Sequence, residues 1–151
     1  MLIVLGAVAV VGLAVLRLAR PAAPDRVVGA VCRRRAGDER RACYIRVLVG
    51  YLNKYGVAQA VATLDSLAAA DPEVAQHAHE YAHGIGIMAY SRWPDIASTF
   101  VSCGDGSASG CRHGFMQAYL QQREHVAAAD VRALCRPFEV ETFSRALLFQ
   151  C

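Results

Sequence analysis

The chain has 151 residues, one small domain's worth. It is 55% hydrophobic and 19% charged with a mean hydropathy of +0.26, which excludes intrinsic disorder. Its 5 Pro and 12 Gly exclude collagen-like and low-complexity classes, and a net charge of +3 is too small to argue for nucleic acid as a partner.

Leu2 to Leu16 form an unbroken apolar run, LIVLGAVAVVGLAVL. As a helix it rises roughly 22 Å, short of a bilayer core of about 30 Å but usable with Arg17 snorkelling at its end. No Lys or Arg precedes the run, and a cut after Ala23 would set Pro24 beside the scissile bond, so an uncleaved anchor is favoured over a signal peptide. Residues 1–20 are therefore expected to anchor the chain in a membrane and 21–37 to form a linker. The orientation is conflicted. Arg17, Arg20, Arg26 and Arg33-Arg34-Arg35 follow the run and favour a cytoplasmic domain. The cysteines favour the outside.

All six cysteines lie beyond the anchor: Cys32, Cys43, Cys103, Cys111, Cys135 and Cys151. An even set in a small anchored domain points to disulfides in an oxidising compartment. Six cysteines allow 15 connectivities; proximity in the chain favours Cys32–Cys43, Cys103–Cys111 and Cys135–Cys151. Thiolate metal ligands are the rival, weakened by the lack of any C-x-x-C.

Residues 38–151 predict an all-α domain, a small helical bundle or helical-repeat array. Asp38 can cap a helix running to Tyr55, with Ile45, Leu48, Val49 and Leu52 inward and Gly56 as its stop. A helix over 57–69 follows, with Val57, Val61, Leu64 and Leu67 or Ala68 inward. Asp71-Pro72-Glu73 starts a third helix, which is expected to run from Glu73 to about Ser91. Trp93-Pro94 breaks it, and a short helix runs over 95–102. A fifth is expected from Arg112 to Arg123, a sixth capped by Asp130, and a seventh from Glu139 to Phe149. The apolar pattern still runs at Cys151 with no glycine or polar tail, so a continuation beyond it is expected.

Three of the five histidines lie in His77-Ala-His79-Glu80-Tyr-Ala-His83. On a helix His79 and His83 stand one turn apart on one face and can reach a single metal ion. The string is H-E-x-x-H, whose Glu serves as general base in zinc metallopeptidases; Glu80 would take that role. Several features speak against a peptidase. The position that would carry a third histidine holds Ala89, Glu124 has no supporting motif as a third ligand, and no edge strand is visible for a peptide substrate. His113, in Cys111-Arg-His113-Gly, is the natural third ligand, ahead of His125. The segment from His83 to Tyr90 is echoed by that from His113 to Tyr119, with the His-Gly pairs 30 residues apart. Val74, Ala78, Tyr81, Ile85 and Met88 form the core stripe, and His79, His83, Gly86 and Tyr90 fall on the other side, facing either solvent or a second layer. Gly84 and Gly86 each cost about 1 kcal/mol relative to Ala within a helix, which suggests a close backbone approach, by the His113 segment for instance.

These residues resemble a group of bacterial membrane-anchored or exported proteins of uncharacterised activity. Their hallmark is H-x-x-x-A-H-x-I-G followed by a Cys-bearing turn and G-C-x-H-G. Here it is met by His79 to Gly86 and by Gly110-Cys-Arg-His113-Gly114, with Cys103 upstream, over about residues 57 to 121. The resemblance implies an all-α His/Cys domain, with a further His/Gly-rich segment following, and gives Glu80 no necessary part. Resemblance to zinc peptidases stops at the five-residue string. The expectation is an extracytoplasmic helical domain binding zinc, or else copper or haem, through His79, His83 and His113. A zinc metallopeptidase and a disulfide-stapled interaction module without ligand are the alternatives.

Overall fold

A computed structural model describes residues 24–93, 95–105, 109–139 and 151. The described chain is all-α, with eight helices and no strand among the described residues. They are α1 (Pro24–Arg33), α2 (Gly37–Tyr55), α3 (Val57–Ala70), α4 (Pro72–Gln76), α5 (Ala78–Arg92), α6 (Ile96–Ser102), α7 (Gly110–Gln121) and α8 (Ala128–Cys135), followed by a 3₁₀ turn over Arg136–Phe138. The apolar run at 2–16 and most of the helix expected over 139–149 lie outside the described residues. Among the described residues no helix is long and apolar enough to cross a membrane.

Two of the expected elements hold closely. The α2 helix ends at Gly56, whose φ of 85° favours glycine. Val57, Val61, Leu64 and Leu67 of α3 are buried. On α2 the inward stripe is turned: Cys43, Tyr44, Leu48 and Leu52 are buried, whereas Ile45 is 43% exposed. Tyr44 takes the inward place because its hydroxyl donates to the buried Asp71. Asp38 does not cap; Ala36 is the N-cap, and Asp38 sits in the first turn where the helix dipole favours a carboxylate.

Part of the expected linker is helical. Cys32 of α1 is bonded to Cys43 of α2, and Gly29 lies against Leu67 of α3, so tertiary contacts hold α1 despite its arginine-rich end. The expected third helix is two helices. His77, at φ −108° and ψ 10°, leaves the helical region and lets α4 rest on α3 while α5 follows α7. Asp71 anchors this corner. Its Oδ1 accepts from the Glu73 backbone N–H at 3.1 Å, capping α4, and its Oδ2 accepts from Tyr44 and from Arg40 at 2.9 Å.

The core has two parts. One lies among α2, α3 and the near side of α5, with Tyr44, Leu52, Leu64, Leu67 and Ile85 buried. The other joins α6, α7, α8 and the 3₁₀ turn through Phe100, Phe115, Tyr119, Leu134 and Phe138. Cys135–Cys151 adds a staple beside this second part, completing the pairing expected from proximity. Thus α5 is two-faced: Tyr81 and Ile85 look toward the first core and Ala82 and Gly86 meet α7.

Candidate functional site

The site is built on the contact between α5 and α7. Three glycines carry it. A Cβ on Gly114 would come within 1.9 Å of the His83 carbonyl oxygen, one on Gly110 within 2.5 Å of the His79 carbonyl oxygen, and one on Gly86 within 1.9 Å of the Cys111 carbonyl oxygen. The two backbones therefore touch, at distances where Cα–H groups can face carbonyl oxygens. Residue 79 meets 110 and 83 meets 114, so the helices run in the same direction. The close approach expected of Gly86 is met; Gly84 has no neighbour within 4 Å of where its Cβ would stand, and does not serve the contact.

This contact fixes where the histidines go. His79 and His83 stand one turn apart on α5, and His113 projects from the first turn of α7. The His79 and His113 ring centres are 5.6 Å apart at 61°, and those of His79 and His83 are 6.3 Å apart at 29°. His79 and His113 are exposed and His83 is half-buried. Burial, and then the neighbouring His79 and His113, push the His83 imidazole below its ordinary value. The His113 Nε2 lies 3.4 Å from Ser109 Oγ, whose residue takes a left-handed φ of 62° just before the helix.

The start of α7 is held from three sides. The Cys103–Cys111 disulfide ties it to the end of α6. Arg112, only 3% exposed, donates from Nε to the Phe100 carbonyl at 3.2 Å and from Nη1 to Asp105 at 2.8 Å, and its guanidinium lies over the Phe100 ring. Sequence reasoning missed Arg112, since arginines are almost never so buried unless paired.

Other candidates fall elsewhere. Glu80 turns toward α2, where it lies 3.3 Å from His77 Nδ1 and 4.0 Å from Arg41. The H-E-x-x-H string is thus divided between two faces of α5. Glu124 and His125 lie beyond the far end of α7, whose last residue, Gln121, is about 12 Å along the helix from His113. Among the described residues no set of three or more His, Cys, Asp or Glu side chains stands ready-made to hold a metal ion. No family model, no curated protein and no solved structure matches the chain.

Proposed function

We propose that the domain binds one transition-metal ion between α5 and α7, with His79, His83 and His113 as ligands. The observation that carries this reading is the meeting of three imidazoles across a backbone-to-backbone helix contact. Two imidazoles on one tetrahedral zinc hold their ring centres roughly 5 Å apart. The separations of 5.6 and 6.3 Å are somewhat longer, so binding would require the side chains to rotate toward the ion. A neutral nitrogen set suits zinc first, with copper or haem as the other groups it would take. Three protein ligands leave an open position. With Glu80 turned to α2, no carboxylate of the H-E-x-x-H string faces that position, so binding rather than peptide hydrolysis is proposed. Disulfides in so small a domain fit an oxidising compartment, and the apolar run at 2–16 would tether the domain to a membrane there.

The test is the metal content of the full chain purified without a histidine tag. About one zinc or copper per chain is expected, lost in the His79→Ala/His83→Ala double variant and retained in Glu80→Gln. A folded chain that carries no metal and takes up neither zinc nor copper on titration would refute the site. A ligand-free interaction module is the second reading. It is favoured by the glycine contacts, which explain both His-Gly pairs without any ion. It predicts that alanine at all three histidines changes no bound species.

A further inference from the structure

On the side of α5 that faces α2 lies a half-open groove of about 350 Å³. Its walls are apolar: Ile45 and Leu48 from α2, and Tyr81, Ile85 and Met88 from α5. Two features separate it from an incidental gap in packing. The first is Gly84, which lines the groove in the middle of α5. A glycine there costs about 1 kcal/mol relative to alanine, yet nothing lies within 4 Å of where its Cβ would be. The space where its side chain would stand is open among the described residues. The second is the charge at the mouth. Arg41 and Glu80 line it, but unequally engaged. Glu80 is nearer His77, at 3.3 Å, than Arg41, at 4.0 Å. Arg40, next in the chain, is committed to Asp71 and Glu73. Arg41 is about half-exposed, and Glu80 stands at the outer limit of an ion pair with it, where such contacts contribute little.

We infer that this groove binds a single-chain anionic amphiphile, its acyl tail lying over Gly84 against Ile45, Leu48 and Ile85 and its carboxylate on the Arg41 guanidinium. The volume is that of a small-ligand site, and an apolar body with one convergent cation is the usual build of such sites. A guanidinium takes a carboxylate by two parallel hydrogen bonds, which would displace the loose contact with Glu80.

The experiment is titration of the full chain with dodecanoate, followed by calorimetry, beside dodecanol and dodecyltrimethylammonium as neutral and cationic probes with the same tail. Saturable binding of dodecanoate is expected, tighter than of either other probe. Gly84→Leu fills the groove from its floor and is expected to weaken dodecanoate at least tenfold. Ile45→Trp fills it from the α2 wall and keeps the test intact should the first variant fold poorly. Arg41→Gln is expected to bring dodecanoate down to the level of dodecanol. Equal binding by the wild-type and both filled chains would assign the amphiphile to the apolar run at 2–16 and overturn the site. So would the absence of saturable binding, an undiminished preference for dodecanoate in Arg41→Gln, or equal affinity for the cationic probe.

Discussion

The carbonyl of His83 rests against the α-carbon of Gly114, so that a Cβ on Gly114 would stand 1.9 Å from that oxygen and 2.7 Å from the carbonyl carbon. Both are backbone atoms, and no side-chain rotation relieves the clash. Gly114→Ala therefore has to push α5 and α7 apart. Forced overpacking of this kind costs 1–3 kcal/mol and sometimes more. A loss of about 3 kcal/mol in urea unfolding is expected, with His113 drawn away from His79 and metal uptake lost with it. Gly114→Ala with unchanged stability would mean that the two helices do not touch in solution.

Gly84 makes the opposite prediction. It sits one residue from His83 in the same helix, but nothing lies within 4 Å of its missing Cβ. Gly84→Ala should recover the helix-propensity difference, raising stability by about 1 kcal/mol. Thermal unfolding of the two alanine variants side by side separates the glycine needed for contact from the one that leaves a groove.

Which of Gly84 and Gly86 meets α7 was not legible in the sequence, where both stand in the same His-Gly-Ile-Gly string. The close approach of the His113 segment was legible, because paired His-Gly dipeptides and glycines inside a helix have few other uses. The α3 helix was legible for the simpler reason that its apolar residues recur at helical spacing between Gly56 and Asp71. What was missed depends on tertiary partners. Ile45 and Tyr44 compete for the inward place on α2, and a buried carboxylate 27 residues away decides between them. The bend at His77 has no proline or glycine to announce it. Pro24 and the run of arginines made α1 read as a linker, although a proline in the first turn suits a helix. Convergence of His79, His83 and His113 on one side of α5 follows from helix spacing once the partner helix is known; the same spacing sets Glu80 only about 60° from His83, and its turn toward α2 rests on His77 and Arg41.

The Tyr44–Asp71–Arg40 cluster predicts how stability varies with pH. Burial alone would raise the Asp71 carboxyl, but hydrogen bonds from Tyr44, Arg40 and the Glu73 N–H outweigh it and hold the group below its ordinary range. A group whose folded pKa lies below its unfolded value contributes stability above the unfolded value and loses it as pH falls toward the folded one. Asp71 should thus support the fold at neutral pH and cease to do so in acid, below the usual carboxylate range near pH 4. Asp71→Asn leaves the cap and partners poorly matched, at a cost of about 2 kcal/mol at pH 7, and should flatten the acid limb. Urea midpoints of both chains between pH 7 and pH 3 check this; parallel curves would remove Asp71 from the account.

The same cluster acts in alkali with the opposite sign. Burial first, and then the hydrogen bond to Asp71, push the Tyr44 hydroxyl up to about 12. Its contribution is complete below the ordinary phenol value near 10 and is lost as pH rises from there toward 12. Tyr44→Phe should destabilise the protein by about 1–2 kcal/mol at pH 7, since it leaves Asp71 short of a donor, and should remove that alkaline loss. Unfolding followed from pH 9 to pH 11 distinguishes the two chains.

The Cys103–Cys111 bond closes a short loop at the one place where α6 hands the chain to α7, and Cys111 is the residue whose carbonyl meets Gly86. Both sulfurs belong to residues 1% exposed, so the bond should resist mild reductant in the folded protein. Its removal in Cys103→Ala/Cys111→Ala should cost about 2–3 kcal/mol, the range for a short closed loop. The stability loss alone would not tie the bond to the histidines. The site adds a second expectation: Arg112 still holds α7 through Phe100 and Asp105, so the variant folds, but the first turn bearing His113 gains freedom and metal affinity falls several-fold. Zinc titration of the variant against the wild-type chain, at a temperature where both are folded, measures that difference. An unchanged affinity would show that the α5–α7 glycine contact positions His113 without the disulfide.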